Sequence, residues 1–333
     1  MQDTPHQDTN STIEGTTPVI SVEIFVQPGF WQVELASILS ALNTANDVCG
    51  QERFDWQITS DHPGIVDSNG DMLVRAEPSI AEQYLKQVLI VVGGTDCRGT
   101  GWMARLRAMQ KLQRRVLLLS GAATEYIKAT APKTSPATTH WGDVNVLSES
   151  GDFPTLTTHL AEEAAGVMTC AGGGHTLELM VGILSKELSP QMAAELSATL
   201  LLEDIRGPQR DQPKGMSHSS NFLEKRLKSA IRLMEDTIEH PLKVSALARQ
   251  VGVSTRQLER LFLIHLDETP AKFYKKIRLK RAHALVTDTR MPLIDVALAC
   301  GFSDSSSLSR AYRLEYTKTP NQIRASVRGK ARD

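Results

Sequence analysis

The four cysteines in this 333-residue chain, at 49, 97, 170 and 300, stand apart: there is no Cys-x-x-Cys pair and no histidine at metal-ligand spacing. That excludes a disulfide framework, offers no structural zinc set, and fits a reducing cytoplasm. Long apolar runs are missing too, and nothing approaches the roughly 18 consecutive apolar residues of a membrane span. The start, MQDTPHQDTNSTIEGTTP, has neither a basic n-region nor an apolar core, so residues 1–18 read as a disordered polar leader rather than a secretion signal. Aromatics make up only 5%, yet 41% of the chain is apolar, enough for ordinary cores, and the length suits about two domains. The expectation is a soluble cytoplasmic protein that binds no membrane, no metal and no cofactor.

A net charge of −1 hides an asymmetry. Residues 221–333 hold 22 Lys and Arg against 12 Asp and Glu, which leaves 15 basic and 26 acidic residues for 1–220. A basic C-terminal third on an acidic body is the pattern of a nucleic-acid-binding module attached to a separate sensor or enzyme, although charge alone also fits a solvated lysine-rich helical face.

From Val19 to about Leu201 short apolar runs alternate with amphipathic ones. VISVEIFV, FDWQIT, VLIVVGG (88–94), RVLLLS and VMTC read as strands; WQVELASILSALNTANDV, WMARLRAMQKLQ, the stretch after GGGHT and one from about Pro190 to Leu202 read as helices. The rhythm predicts an α/β domain over 19–205, a mainly parallel sheet sandwiched by helices, with its ligand loops at the carboxyl ends of the strands. The Pro-, Gly- and Ser-rich stretch 206–221 predicts a linker. Beyond it, 222–328 reads as all-α.

Within that third, LARQVGVSTRQLERLF and VALACGFSDSSSLSRAY repeat one plan: an Ala (Ala248, Ala297) four residues before a Gly (Gly252, Gly301), a tight turn, a Ser or Asp helix start, then Arg and an apolar pair. This is a tandem helix-turn-helix. Small Ala allows close helix approach and Gly allows positive φ, while Leu258, Leu261 and Phe262 anchor the second helix. The outward side then carries Thr255, Arg256, Glu259 and Arg260 in the first unit, and Ser305, Ser306, Ser307 and Arg310 in the second. Arg can fork onto guanine and Ser can bond base edges or phosphates. The joining helix bears Lys272, Lys275, Lys276, Arg278, Lys280 and Arg281.

These stretches, with ETPAKFYKKIRLKRAHALV between them, resemble the DNA-binding domain of the AraC family of bacterial transcription regulators. Asp267 and Thr317 stand where that family often has Gly before its "TP" corner, and Leu308 where an aromatic is common. The front part, through FVQPGFWQVELASILSALNTAN, VLIVVGGTDCRG, SGAA, ATTHWGD and VMTCAGGGHTLELMVGIL, is similar to class I glutamine-amidotransferase-like domains of the PfpI type, as fused to AraC modules in GlxA-type regulators. The resemblance implies a regulator acting on promoter DNA as an activator, with RNA polymerase and a second copy of itself as partners. The alternative is a PfpI-like enzyme fused to a DNA-binding tail.

Active members of that superfamily place a nucleophilic cysteine at the end of a buried strand. Here the matching position is Leu119, followed by Ser120-Gly121-Ala122, which implies a pocket without catalysis. Ser120 could serve as a small turn residue or as a donor to a ligand. The resemblance puts Glu34 near the lost nucleophile, and Phe30, Trp31, Gly94, His140, Trp141 and Cys170 complete the candidate ligand set; each has an ordinary structural role open to it as well. MTCAGGGHTLELM followed by EDIRGPQRDQ resembles the subgroup sensing betaine, carnitine or arginine, except that GGGHT replaces the GGTAA common there. The implied effector is a small cationic nitrogen compound held by Glu34 against aromatic faces, with the 120–122 turn offering N–H groups to its anionic end.

Overall fold

A computed structural model describes residues 18–79, 85–94, 101–150, 153–213 and 224–330. The leader expected over 1–18 therefore falls almost wholly outside the described residues, as do positions 214–221 of the expected linker and Cys97. Among the described residues, eight strands occur in the order β3-β4-β2-β1-β5-β6-β8-β7, numbered along the chain. β1 (Ile20–Val26) runs parallel to both β2 (Phe54–Ser60) and β5 (Val88–Val92), which is itself parallel to β6 (Arg115–Leu119). These central strands are apolar because helices cover parallel sheets on both faces. Ile24, Phe25, Val26, Leu89 to Val92 and Leu117 to Leu119 are all buried. One departure from the predicted rhythm is an edge hairpin, β3 (Gly64–Asp67) against β4 (Leu73–Pro78), paired antiparallel. Its alternation is too short and too polar to stand out in the sequence.

The chain divides into two compact units. The first comprises the described residues of Met1–Leu119, Ala165–Val167 and Gly173–Gly207. In it α1 (Gln32–Cys49) buries Leu35, Ile38, Ala41, Leu42 and Ala45, one stripe at helical spacing, and ends where Gly50 takes the left-handed conformation. α2 (Gly101–Lys111), α5 (Thr176–Leu184) and α6 (Pro190–Thr199) belong to the same unit. A charged network sits inside it: the Arg105 guanidinium, on α2, pairs with the Glu23 carboxylate on β1 (Nε to Oε2, 3.0 Å), and the Thr59 hydroxyl on β2 donates to the other oxygen (2.7 Å). All three residues are buried. No periodicity announces this network, because burial of Glu23 follows from strand pairing alone.

The second unit comprises Ser120–Ala164, Met168–Gly172 and the described residues of Pro208–Asp333. It holds α3 (Gly121–Thr130), α4 (Trp141–Ser150), β7 (Ala161–Ala164) and most of β8 (Val167–Cys170). It also contains seven further helices among the described residues: α7 (Lys225–Asp236), α8 (Val244–Gln250), α9 (Thr255–Leu266), α10 (Pro270–Asp288), α11 (Leu293–Ala299), α12 (Ser305–Tyr316) and α13 (Pro320–Lys330). One apolar cluster joins Ile231, Met234, Leu247, Leu258, Phe262 and Phe273; a second joins Leu279, Leu285, Val296, Leu308 and Tyr312. Each helix-turn-helix unit thus has its own core, and α10 contributes to both.

Residues 208–213 are not the free connector that their composition suggests. The Gln212 amide is buried and donates to the Thr139 carbonyl (2.7 Å), the His159 carbonyl (2.8 Å) and the Thr138 hydroxyl (3.1 Å), and the backbone at 210–212 bonds residues 158 and 160. Arg206, in the first unit, is held by Glu178. Backbone and amide hydrogen bonds order this polar stretch, which has little apolar surface to announce it. No described helix is long and apolar enough to cross a membrane, and no metal-ligand cluster occurs among the described residues.

Candidate nucleic-acid interface and ligand corner

The two helix-turn-helix units are built alike. Ala248 and Ala297 are buried under the second helix of each pair, and Gly252 and Gly301 turn the chain at φ +72° and +69°. A capping box starts each second helix: Ser254 with Gln257 for α9, Asp304 with Ser307 for α12. Two orphan N–H groups are satisfied reciprocally, so the first turn that would enter a groove is rigid before DNA arrives. In α9, Leu258 and Phe262 point inward, while Thr255, Arg256, Glu259 and Arg260 are exposed. In α12, Leu308, Ala311 and Tyr312 are buried; Ser306 and Arg310 are exposed and Ser305 half-buried. Ser307 departs from the outward set, because its hydroxyl accepts from the Asp304 N–H and donates to the Asp304 carbonyl (2.8 Å). That hydroxyl is part of the α12 capping box.

Several cations on α10 are also committed internally. Arg278 donates to the carbonyls of Cys300 (2.8 Å) and Gly301 (2.6 Å) and lies over the Phe302 ring, which locks the second turn; Lys276 pairs with Glu268, and Arg281 with Glu149. Cys300, beside that turn, is buried and its thiol is pushed up to about 12, chiefly by burial, so it is inert. The Asp267 and Thr317 positions, where the AraC pattern favours glycine, are the left-handed ends of α9 and α12, at φ +53° and +61°. The pattern's glycine matches the backbone here, and this chain bears the strain of a side chain instead.

The first stretch of the first unit ends at Leu119 and the second unit begins at Ser120, at the elbow after β6. Leu119 is an ordinary last strand residue, buried and paired with Val92. The strained residue is Ser120, at φ +43° and ψ −113°. A sharp strand-to-helix turn puts its strain one residue beyond the strand. Its hydroxyl donates to the Ala171 carbonyl (3.1 Å), and a carbonyl cannot take the proton as a base would. The Ser120 carbonyl accepts from Thr139 Oγ1 (3.0 Å) and Thr124 Oγ1 (3.3 Å), and Thr124 reaches Asp143 (2.7 Å). These threonines brace the elbow, and sequence patterning does not reveal them. Gly121 and Ala122 form the first turn of α3, which the Ser120 side chain does not cap. His140 is exposed; its Nδ1 accepts from the Gly142 N–H (3.2 Å), and its ring lies 5.4 Å from that of Trp141. Cys170 is fully buried.

In the first unit, Phe30 is fully buried and belongs to the core, whereas Trp31, just before α1, is substantially exposed. Gly94 is a packing glycine: an added Cβ would collide with the Pro28 carbonyl. Glu34 is wholly buried in the first turn of α1, and its Oε1 accepts from the Gly173 N–H (2.8 Å). A carboxylate therefore stands at the glycine corner that leads into α5, where the helix dipole favours it.

Just behind this corner lies a residue absent from the sequence-derived set. His175 is buried, with Nδ1 3.5 Å from Glu178 Oε2. Arg206 clamps Glu178 (Nε to Oε2, 2.8 Å; Nε to Oε1, 3.0 Å). Burial alone would raise the Glu178 carboxyl, but the Arg206 hydrogen bonds and charge outweigh it and hold it low. Burial pushes His175 below the usual imidazole range despite Glu178. The only sequence signal for His175 was the replacement of GGTAA by GGGHT.

A family described as "Helix-turn-helix domain" matches residues 247–326. The chain is similar to the HTH-type transcriptional regulator CdhR of Pseudomonas aeruginosa, 31% identical over 307 residues, covering 91% of each protein. It is 27% identical to the regulator GbdR of the same species, covering 90% of this chain and 82% of GbdR. It is 28% identical to GlxA of Rhizobium meliloti, covering 89% of this chain and 92% of GlxA.

Proposed function

Because this chain belongs to the AraC family of DNA-binding transcription regulators, of the CdhR, GbdR and GlxA type, we propose that it is a metabolite-controlled activator whose front domain binds a small cationic nitrogen compound and carries out no catalysis. The observation that carries the DNA half of this reading is the pair of capped helices α9 and α12, each anchored by its own core and each presenting exposed arginine. Arg256, Arg260 and Arg310 read or orient on successive major-groove segments one helical turn apart, with Thr255, Glu259, Ser305 and Ser306 beside them. A second copy of the chain and RNA polymerase complete the assembly at the promoter.

The effector half rests on Glu34, a fully buried carboxylate at an open glycine corner, which favours a positively charged ligand. Against the enzyme alternative stands the Ser120 hydroxyl, which donates to a carbonyl.

Two experiments test this reading. DNA selected by the full chain from a random-sequence pool is titrated with Arg256→Ala, Arg260→Ala and Arg310→Ala. Loss of a base-reading arginine costs about 1–3 kcal/mol and relaxes one position, and three variants that bind as wild type refute the assignment. Calorimetry of the full chain against glycine betaine, carnitine, choline, dimethylglycine and arginine yields at least one saturable binder weakened by Glu34→Gln. No binding by any of the five, or binding that ignores Glu34, ends the cation reading and leaves the DNA assignment standing.

A further inference from the structure

Three neighbouring groups in the first unit give the glycine corner one chemical character. Glu34 brings a carboxylate to the Gly173 N–H. His175 is buried, and neither of its ring nitrogens has a hydrogen-bond partner among the described residues, Nδ1 lying 3.5 Å from Glu178 Oε2; Thr176 Oγ1, wholly buried, has none either. The chain just before them is open: a Cβ at Gly173 or at Gly174, two residues and one residue before His175, would meet nothing within 4 Å. A buried polar atom without a partner costs stability, so its retention beside an open corner calls for a ligand that supplies the missing bond.

The role of Nε2 follows from its surroundings. Glu178, bound by Arg206, is an anion and can only accept, and it lies nearest Nδ1. The anion favours the ring proton on Nδ1, the nitrogen that faces it, and that tautomer leaves a lone pair on Nε2. Burial keeps the ring neutral, so this lone pair persists at neutral pH.

We infer that His175 selects the effector: its Nε2 accepts a hydrogen bond from a ligand N–H, so that the site favours a cation bearing N–H over its quaternary N-methyl counterpart. The inference rests on the cation reading above and sharpens it. A trimethylammonium group presents only C–H to Nε2 and leaves a buried acceptor unsatisfied, whereas a protonated tertiary amine of nearly the same shape satisfies it. Discrimination built on a buried hydrogen bond exceeds that built on methyl-group size.

Matched pairs in which one N-methyl replaces one N–H test it: dimethylglycine against glycine betaine, norcarnitine against carnitine, and dimethylethanolamine against choline, with arginine added. Calorimetry uses the full chain and its His175→Ala and His175→Gln variants, with far-UV circular dichroism confirming the fold. In the wild type the N–H member of a binding pair is expected to be tighter by about tenfold or more. His175→Ala brings that ratio close to one, and His175→Gln, which keeps an acceptor, retains part of it. Arginine is read through the variants: a weakening of about tenfold in His175→Ala supports the inference, and unchanged affinity overturns it. Quaternary members that bind as well as their N–H partners in the wild type, or a ratio that survives His175→Ala, overturn it while leaving the cation reading intact. Failure of all seven compounds to bind overturns both.

Discussion

Gly252 and Gly301 occupy the same place in the two helix-turn-helix units with nearly the same φ, so a methyl group added at each isolates one variable, the space it enters. At Gly252 a Cβ meets nothing within 4 Å; at Gly301 it would run into the Ile238 carbonyl, with the Pro241 Cδ at 2.7 Å and the Glu239 carbonyl at 3.0 Å. Left-handed backbone costs an L-residue about 1–2 kcal/mol, and that is the whole expected loss for Gly252→Ala. Gly301→Ala carries the same strain plus the displacement of backbone that cannot rotate away, about 1–3 kcal/mol more. The sum is about 2–5 kcal/mol. Hydrogen exchange suits the measurement, because it reads local opening in a chain of several cooperative parts. Three of the four tryptophans, at 31, 56 and 102, lie in the first unit, so fluorescence reports chiefly that this unit is intact. In Gly301→Ala, amides of α11 and α12 should exchange about 30-fold faster or more, while those of α8 and α9 in Gly252→Ala change by roughly 5- to 30-fold. Equal effects, or a larger effect at Gly252, would refute the argument that backbone contact at Gly301 sets its cost.

Other expectations follow from the same physical terms. Thr317→Gly removes a β-branched residue from left-handed backbone and should stabilise the end of α12 by about 0.5–1 kcal/mol in urea unfolding followed by circular dichroism; a loss would mean that the Thr317 side chain compensates its strain. Arg105→Met leaves the Glu23 carboxylate buried without its cation and should cost about 3–5 kcal/mol, much of it recovered in the double variant Glu23→Leu/Arg105→Met, as a double-mutant cycle would read. Acid should destabilise the native state through His175. Its folded pKa lies below the unfolded value of about 6.5, so the unfolded chain takes up the proton first and stability falls as pH drops below that value. Melting temperatures between pH 7.5 and 5.5 should decline less steeply in His175→Asn, and an unchanged slope would remove His175 from the account.

Much of this protein is legible in one dimension. Helix periodicity, the Ala-to-Gly spacing and the Ser and Asp starts are local properties of a few consecutive residues, and local hydrogen bonds and backbone preferences realise them. That is why α10 spans the stretch 270–288 that the sequence indicates, and why Arg256, Arg260 and Arg310 emerge exposed. The apolar runs of β1, β5 and β6 likewise announce a parallel sheet, since only strands covered on both faces are apolar throughout. Tertiary structure decided the rest. Whether Ser307 faces DNA or closes a cap depends on Asp304 geometry, and whether the elbow falls at Leu119 or Ser120 depends on where β6 stops pairing with β5. Gly94 became a packing residue only because the Pro28 carbonyl arrives beside it from a distant part of the chain. His175 drew its properties from Glu178, three residues on, and from Arg206, 31 residues away, together with burial. Periodicity records which residues are apolar, but protonation, strain and unsatisfied bonds depend on neighbours distant in sequence, and the folded chain alone assembles those.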